Sequence, residues 1–154
     1  MVLAVFAGLP GVGKTTLAQQ VGAALPAVVL AVDTVDSALR TYDVRDPGLA
    51  AYGVVAALAE TQLTLGHSVI IDAVNPVRAV RQLWTDLAER LDVPLRVVEV
   101  VCGDDEELRR RLEAGGAGAA GQPAAYEPYL GPRVVVDTHL AKDPVPPVVN
   151  YLRP

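Results

Sequence analysis

Eight residues near the amino terminus have the types and spacing of a phosphate-binding loop. Residues 8–15, GLPGVGKT, match the pattern G-x-x-x-x-G-K-[ST] at every fixed position. The glycines Gly8, Gly11 and Gly13 let the main chain approach phosphate oxygens closely. Successive N–H groups, including that of Val12, would then form a nest for an anion. A chance glycine turn is the alternative, but a predicted strand before the loop and a predicted helix after it favour the phosphate site.

Four polar side chains have the chemistry to hold a nucleoside triphosphate with Mg²⁺. Lys14 is expected to bridge the β- and γ-phosphates, and the hydroxyl of Thr15 to bind Mg²⁺. Thr16 is placed to reach the α-phosphate. Asp72 ends an apolar run and would hold Mg²⁺ directly or through water. Its alternative role is that of a helix cap or a loop carboxylate. The sequence therefore predicts ATP and Mg²⁺ as cofactors.

Apolar runs and helical segments alternate along the chain, which predicts right-handed βαβ units in one three-layer α/β domain over residues 1–154. The runs are buried on both faces, as in a parallel sheet. The predicted strands are 2–7, 28–32, 67–72, 95–102 and 133–136. The predicted helices are 13–25, 36–41, 47–65, 76–91, 104–114 and a final one ending near Leu152. The apolar stripe of the helix over 76–91 is Ala79, Leu83, Leu87 and Leu91.

The composition excludes several classes of protein. A net charge of −5 and a pI near 4.9 disfavour nucleic acid as a partner. The single cysteine, Cys102, ends an apolar run, is predicted to be buried, and cannot form an intrachain disulfide. No segment resembles a leader peptide, and no run approaches the ~18 apolar residues of a membrane span. We therefore expect a cytoplasmic protein without a membrane partner, and the oligomeric state stays open.

Three classes of nucleotide-binding protein compete for this pattern. A GTPase carries an Asn-Lys-x-Asp signature late in the chain, whereas the late apolar run here continues into Asp137 and Thr138. A multidomain remodelling ATPase needs more sequence after the phosphate loop. A small phosphotransferase fits best, with five strands, a phosphate loop, an acidic residue after a buried strand and an arginine-bearing helix.

The chain resembles the small P-loop kinases related to phage polynucleotide kinase, zeta toxin and chloramphenicol phosphotransferase. The resemblance follows the chain in order through GLPGVGKTTLA, VIIDAVNP, DDEELRRRLE, YEPY and VVVDT. It implies a P-loop NTPase of three α/β/α layers, with a five-stranded parallel sheet in the order 2-3-1-4-5. It also implies a short lid, which we place at about 115–132, where the glycine-rich stretch has no periodicity and is predicted to be mobile.

The resemblance further implies that Asp33 accepts the hydrogen bond of the acceptor hydroxyl and takes its proton. Capping of the following helix is the alternative for Asp33. Asp36 is the second choice for the same role. Arg40 lies four residues after Asp36, and it either pairs with that carboxylate or faces the substrate.

Related kinases use arginines before the lid to clamp the transferring phosphoryl group and to cover the adenine. The pattern favours Arg111 first and Arg110 second for this role. Stabilisation of the helix dipole is the alternative for both. The family often has a further arginine four residues on, where this chain has Gly115, and Arg133 is a possible substitute.

Two more pairs of residues follow predicted strands. They lie at the carboxyl ends of these strands, which form the edge of a parallel sheet where ligands bind. Asn75 and Arg78 are candidates for contact with the acceptor, and N-capping is an equal alternative for Asn75. Asp137 and Thr138 form either part of the adenine pocket or an Asx-type turn.

The sequence thus predicts an ATP- and Mg²⁺-dependent kinase that moves the γ-phosphate to a hydroxyl of a small molecule. One alternative is a nucleic-acid 5′-hydroxyl kinase, which the acidic pI disfavours. The other is a nucleotide-binding regulatory or toxin-like module with weak or no catalysis, which the glycine at position 115 would favour.

Overall fold

The structure is a computed structural model that describes residues 1–114 and 125–153. Strands and helices alternate, as the sequence predicts. The strands are β1 (Leu3–Ala7), β2 (Ala27–Ala31), β3 (Ser68–Asp72), β4 (Leu95–Val101) and β5 (Val134–Asp137). The helices are α1 (Lys14–Ala24), α2 (Val32–Thr41), α3 (Gly48–Thr64), α4 (Arg78–Arg90), α5 (Asp105–Ala114) and α6 (Val145–Leu152).

The five strands form one parallel sheet in the order β2-β3-β1-β4-β5, which confirms the predicted order. β1 lies at the centre, and each of its residues is buried. Its register places Phe6 beside Asp72 of β3 and Ala7 beside Glu99 of β4. Because the strands are parallel, the loops that follow them meet at one edge of the sheet, where ligands bind in such folds.

Apolar side chains pack on both faces of the sheet, and this gives the three layers. On one face, α3 and α4 supply Val55, Leu63 and Trp84 to a core with β1 and β3. On the other face, α1 and α6 supply Leu17 and Leu152. Each fully buried side chain of this size contributes about 1.5–3 kcal/mol relative to an exposed one, so the two cores fix the helices on the sheet.

The buried face of α4 differs from the predicted stripe of Ala79, Leu83, Leu87 and Leu91. The buried residues are Val80, Trp84, Leu87 and Ala88. A strict spacing of four residues drifts by about 40° per step around a helix of 3.6 residues per turn, and this explains the error. Ala79 is exposed as a result, and the large indole of Trp84 takes the place beside the sheet.

The start of α2 also differs from the prediction, because the helix follows β2 without a loop. The sequence predicted a start at residue 36, whereas α2 begins at Val32. Asp33 therefore lies in the first turn of α2 rather than in a connection. Its carboxylate is well placed there, because the amino-terminal end of a helix favours a negative charge.

The region predicted as a mobile lid divides into two parts. Residues 115–124 lie outside the described residues. The part that follows contains residues 126–129, which we call the YEPY segment, and it packs against the start of α4. The N–H of Glu127 donates a hydrogen bond to the carbonyl oxygen of Pro76 (2.8 Å), and the N–H of Arg78 donates one to the Glu127 carboxylate (2.8 Å). These bonds attach the YEPY segment to α4 in this structure, and the lid at 115–132 stays a prediction.

The structure also bears on two predictions from the composition, one about Cys102 and one about membrane-crossing helices. Cys102 is half-buried rather than buried, and its thiol lies 3.5 Å from the carbonyl oxygen of Asp104. None of the helices in the two described ranges combines the length and apolar character that a membrane crossing requires.

Candidate active site

The phosphate loop connects the end of β1 to the start of α1, at the carboxyl edge of the sheet. Gly11 and Gly13 have positive φ angles of 83° and 92°, which glycine adopts readily and other residues rarely do. Gly8 (φ 152°) has a different reason to be glycine. A Cβ there would collide with the main-chain carbonyl oxygen of Val100 in β4. The glycine pattern is thus required by the local geometry of the loop.

The loop forms the floor of a cleft of about 760 Å³. Many of the residues predicted for the site line it, namely Gly11, Gly13, Lys14, Thr15, Thr16, Asp33 and Arg111. The lining also contains residues that the sequence did not single out, namely Leu9, Pro10, Leu17, Gln20, Leu112, Ala141 and Pro144. Most of these residues are apolar.

Lys14 and Asp72 form an ion pair at the base of the loop. The Nζ of Lys14 lies 2.9 Å from Oδ1 of Asp72, and the two side chains are only 6% and 4% exposed. An ammonium group has three N–H donors. Asp72 accepts one of them, so two remain to bind phosphate oxygens. The ion pair thus orients the Lys14 ammonium and leaves two of its N–H donors to bind an anion.

Asp33 opens onto the cleft from the first turn of α2. Burial by the surrounding protein raises the pKa of its carboxyl above the usual value, and the negative charges of Asp72 and Asp36 raise it further. The positive charge of Lys14 acts in the opposite direction. The cap of α2 is Ala31, and no side chain caps this helix. The capping alternative for Asp33 is therefore not what the structure shows.

Arg111 reaches the loop from α5 through a network with Thr138. Its Nε donates to the carboxylate of Glu107 (2.8 Å), and its Nη1 donates to Oγ1 of Thr138 (2.8 Å). Thr138 in turn donates to the carbonyl oxygen of Val12 in the loop (2.6 Å). The hydrogen bond from Arg111 lowers the pKa of Glu107, which keeps that carboxylate charged. Arg111 is thereby fixed at the cleft, and its role as a clamp on the phosphoryl group stays a prediction.

The structure does not bring the other predicted cations to the cleft. Arg110 is 65% exposed and pairs with Glu107 (3.0 Å). Arg40 pairs with Asp36 (2.7 Å), which decides between its two predicted roles in favour of the ion pair. Arg133 pairs with Glu99 and so does not substitute for the arginine missing at position 115.

Asn75 and Arg78 also lie outside the cleft lining, and for Asn75 the reason is burial. Its side chain is fully buried. The amide nitrogen donates to the carbonyl oxygens of Phe6 and Ala73 (both 3.3 Å), and the amide oxygen accepts from the indole of Trp84 (2.7 Å). Both predicted roles, substrate contact and N-cap, are therefore replaced by a structural one. The side chain of Arg78 is exposed on α4.

Asp137 takes the Asx-type turn that the sequence left as an alternative, and the adenine-pocket role of Thr138 stays a prediction. The carboxylate of Asp137 accepts hydrogen bonds from the N–H groups of Gly103 (3.1 Å) and His139 (2.9 Å). These bonds lower the pKa of Asp137 and tie the end of β5 to the loop after β4. Asp137 thus forms an Asx-type turn, and Thr138 lines the cleft.

The oxygen donors near the loop suit Mg²⁺. Within the described ranges, no three His, Cys, Asp or Glu side chains come together as a metal site. Mg²⁺ does not require such a group, because it keeps several waters and binds one or two protein oxygens together with substrate phosphates. The carboxylate of Asp72 and the hydroxyl of Thr15 fit this pattern, since both are hard oxygen donors beside the phosphate nest.

Sequence reasoning missed Tyr52 and Arg81. The hydroxyl of Tyr52 accepts a hydrogen bond from the N–H of Asn75 (3.2 Å). Burial, with a smaller effect of the Asp33 charge, raises the pKa of Tyr52 to about 12. Arg81 contacts the YEPY segment, which lies more than 40 residues away in sequence. No local pattern signals either contact, although the YEPY motif itself was visible.

Comparison with known proteins agrees with the fold and the loop. Residues 3–120, well over half of the chain, match the family model AAA_33, an AAA domain. No curated protein matches the sequence. A protein from Chloroflexus aurantiacus, provisionally named a kinase, has a similar structure with a TM-score of 0.79 and 23% identity, covering 99% of this chain and 93% of that one.

Two further solved structures carry nucleotide analogues. Kti12 from Chaetomium thermophilum, in complex with ADP-AlF3, has a TM-score of 0.70 and 19% identity, and the match covers 99% of this chain and 100% of that one. The APS kinase CysC from Mycobacterium tuberculosis, in complex with AMPPNP and APS, has a TM-score of 0.64 and 22% identity, with 88% and 89% covered. At these identities the likeness shows the fold.

The sheet order, the phosphate loop and these neighbours define a protein with the P-loop kinase fold. The chain belongs to the AAA_33 family, in agreement with the resemblance to small P-loop kinases that the sequence motifs indicated.

Proposed function

We propose that the protein is an ATP- and Mg²⁺-dependent phosphotransferase that acts on a hydroxyl of a small-molecule acceptor. The observation that carries the proposal is the placement of Lys14, Asp33 and Arg111 around one cleft with the phosphate loop as its floor. Phosphoryl transfer requires positioning and charge stabilisation more than covalent chemistry from the protein. One cleft that combines two cations, a phosphate nest and a carboxylate meets these requirements.

The phosphate end of the cleft holds the nucleotide in this proposal. The loop N–H groups bind the β-phosphate, and the two uncommitted N–H donors of Lys14 bind β- and γ-phosphate oxygens. Arg111 reaches the loop from α5, and its guanidinium stabilises charge on the transferring group. Asp72 and Thr15 would hold Mg²⁺, which neutralises phosphate charge when bound.

The acceptor end of the cleft is defined by Asp33. The acceptor hydroxyl donates a hydrogen bond to this carboxylate, which orients its oxygen toward the γ-phosphorus. A new O–P bond then forms, the bond from the γ-phosphorus to the β–γ bridging oxygen breaks, and ADP leaves. The hydroxyl proton passes to Asp33. A raised pKa makes Asp33 a better proton acceptor than an ordinary aspartate.

The solved neighbours support this assignment by what they bind. Kti12 was solved with ADP-AlF3, and the APS kinase CysC with AMPPNP and APS. These ligands belong to those proteins, and the shared fold makes a nucleotide the ligand we propose here. A cytoplasmic location is proposed with the same function.

A screen with γ-labelled ATP tests the proposal. Wild-type protein and Mg²⁺ are incubated with nucleosides, sugars, hydroxyl-bearing antibiotics and short oligonucleotides, and labelled products are separated from ATP. We expect transfer to at least one small hydroxyl compound and none with Lys14→Ala. Transfer to oligonucleotides alone would favour a nucleic-acid kinase. ATP binding without transfer to any compound would contradict the proposal and favour a regulatory module.

A further inference from the structure

Arg81, which the proposed chemistry does not use, joins separate parts of the molecule. It lies in the first turn of α4, and its guanidinium donates hydrogen bonds to four main-chain carbonyl oxygens. Two belong to the loop between β3 and α4, those of Asn75 (2.8 Å from Nε) and Pro76 (3.2 Å from Nη2). The other two belong to the YEPY segment, those of Pro128 (3.0 Å from Nη1) and Glu127. Arg81 thus bridges the loop and the YEPY segment.

The guanidinium also stacks on the two aromatic rings of the YEPY segment. Its central carbon lies 3.8 Å from the ring centre of Tyr129 and 5.3 Å from that of Tyr126. A planar group with five N–H donors can stack and bind carbonyls at the same time, whereas the single ammonium of lysine cannot. The contacts of Arg81 therefore use both properties of arginine.

Asn75 extends this network toward the acceptor end of the cleft. Its carbonyl oxygen accepts from Arg81, and its N–H donates to the hydroxyl of Tyr52. Tyr52 lies on α3, which packs against α2, the helix that carries Asp33. Burial is the main cause of the raised pKa of both Tyr52 and Tyr129, and the charge of Asp33 raises the pKa of Tyr52 further. Both rings thus lie close to this network, because Tyr129 stacks on the guanidinium of Arg81 and Tyr52 binds the N–H of Asn75.

We propose that Arg81 is a positioning residue for acceptor binding. It holds the YEPY segment against the loop after β3, so that Tyr129 and Tyr52 form one aromatic wall beside Asp33. Arg81 acts through Tyr129 and touches no substrate itself. This inference rests on the proposed function, because the wall would contact the acceptor of the transfer.

Hydrogen exchange tests whether Arg81 anchors the segment, with no need for an acceptor. The variant Arg81→Lys keeps the charge and loses the planar fork. Arg90→Lys is the matched control, because Arg90 lies on the same helix in an exposed ion pair with Glu60. We expect exchange of the Glu127 amide to become at least about tenfold faster in Arg81→Lys, with β1 unchanged. Unchanged exchange of Glu127, or equally faster exchange in β1, would overturn the anchoring.

Steady-state kinetics test the effect on the acceptor, with the compound found by the screen. In Arg81→Lys we expect the acceptor KM to rise by about tenfold or more, because the wall is displaced. The kcat and the Kd for AMPPNP should stay within about twofold of wild type, and Arg90→Lys should match wild type in all three. An unchanged acceptor KM, or an equal loss of AMPPNP affinity, would overturn the positioning role. If wild type transfers no phosphate, the proposed function and the acceptor role both fail, whereas the exchange result still decides the anchoring.

Discussion

Lys14 and Asp72 form an ion pair that is almost completely shielded from water. Removing two charges from water is costly, and their mutual attraction offsets the cost only while both partners are present. The side chains of Lys14 and Asp72 are only 6% and 4% exposed, so both charges carry this cost. The loss of either partner alone should therefore destabilise the empty protein, in addition to any effect on nucleotide binding.

This dual role predicts a loss of stability that is separate from the loss of function. Lys14→Met leaves the Asp72 carboxylate buried without a partner, and the free energy of unfolding should fall by about 3–5 kcal/mol. The double variant Lys14→Met with Asp72→Asn should recover part of this loss, because the isolated charge is gone. Neither variant should bind AMPPNP. Urea unfolding without nucleotide measures the stabilities, and an unchanged midpoint for Lys14→Met would contradict the prediction.

The raised pKa of Asp33 predicts the pH dependence of the reaction. The carboxylate must be ionised to accept a proton, and its ionised fraction falls as the pH drops through the raised pKa. The kcat/KM for the acceptor should therefore decline on the acid side at a pH above the ~3.9 of an ordinary aspartate. A pH–rate profile measures this limb. A residual rate in Asp33→Asn that shows the same limb would assign it to another group.

The raised pKa of Asp33 affects activity and stability in opposite directions, because low pH reduces the activity but favours the folded state. Because burial makes the folded state bind this proton more tightly than the unfolded chain, the group stabilises the fold below its ordinary pKa. That contribution is lost as the pH rises through the raised pKa. Near neutral pH, the ionised Asp33 opposes folding slightly, as is common for groups that serve a reaction.

At the scale of elements, the phosphate loop illustrates how a strand and a loop constrain each other. Gly8 follows β1 directly, and the carbonyl oxygen of Val100 in β4 occupies the space of a Cβ. Main-chain atoms of a central strand cannot move without loss of sheet hydrogen bonds. The motif glycine is therefore required by packing as well as by the approach to phosphate.

A pair of glycine substitutions tests this constraint. Gly8→Ala should lower the free energy of unfolding by more than about 2 kcal/mol and abolish AMPPNP binding, because the loop and β4 must separate. Gly53 in α3 is the control, since nothing lies within 4 Å of a Cβ at that position. Gly53→Ala should stabilise the protein by roughly 0.5–1 kcal/mol through helix propensity. Equal effects of the two substitutions in urea unfolding would refute the argument.

The elements also show which parts of the site the sequence could predict. The loop and the strand ends carry Lys14, Asp33 and Asp72, and the parallel topology alone predicts that these ends meet. The contacts of Asn75 were not predictable, because its amide joins β1, the loop after β3 and α4 through atoms that no local pattern reveals. The buried face of α4 lies mostly one residue later than the predicted stripe, because a strict spacing of four residues does not follow the 3.6-residue turn of a helix.

At the scale of the molecule, the order of the strands was predictable because the sequence motifs resemble those of the small P-loop kinases, whose fold implies it. The alternation of strands and helices by itself predicts a parallel sheet with right-handed crossovers, and it leaves the order of the strands open. The distant pairing of Arg81 with the YEPY segment was not predictable, because it depends on how the chain returns after residue 124. Long-range side-chain contacts of this kind require the three-dimensional arrangement.

Separation of binding from transfer in the Asp33→Asn variant tests the central claim most directly. AMPPNP binding is measured by calorimetry, and phosphate transfer from γ-labelled ATP to the identified acceptor is measured in parallel. The account predicts an AMPPNP affinity within about twofold of wild type and a transfer rate lower by at least about 100-fold, because Asp33 acts on the acceptor alone. Transfer at the wild-type rate by Asp33→Asn, or no binding of AMPPNP by wild type, would contradict the account.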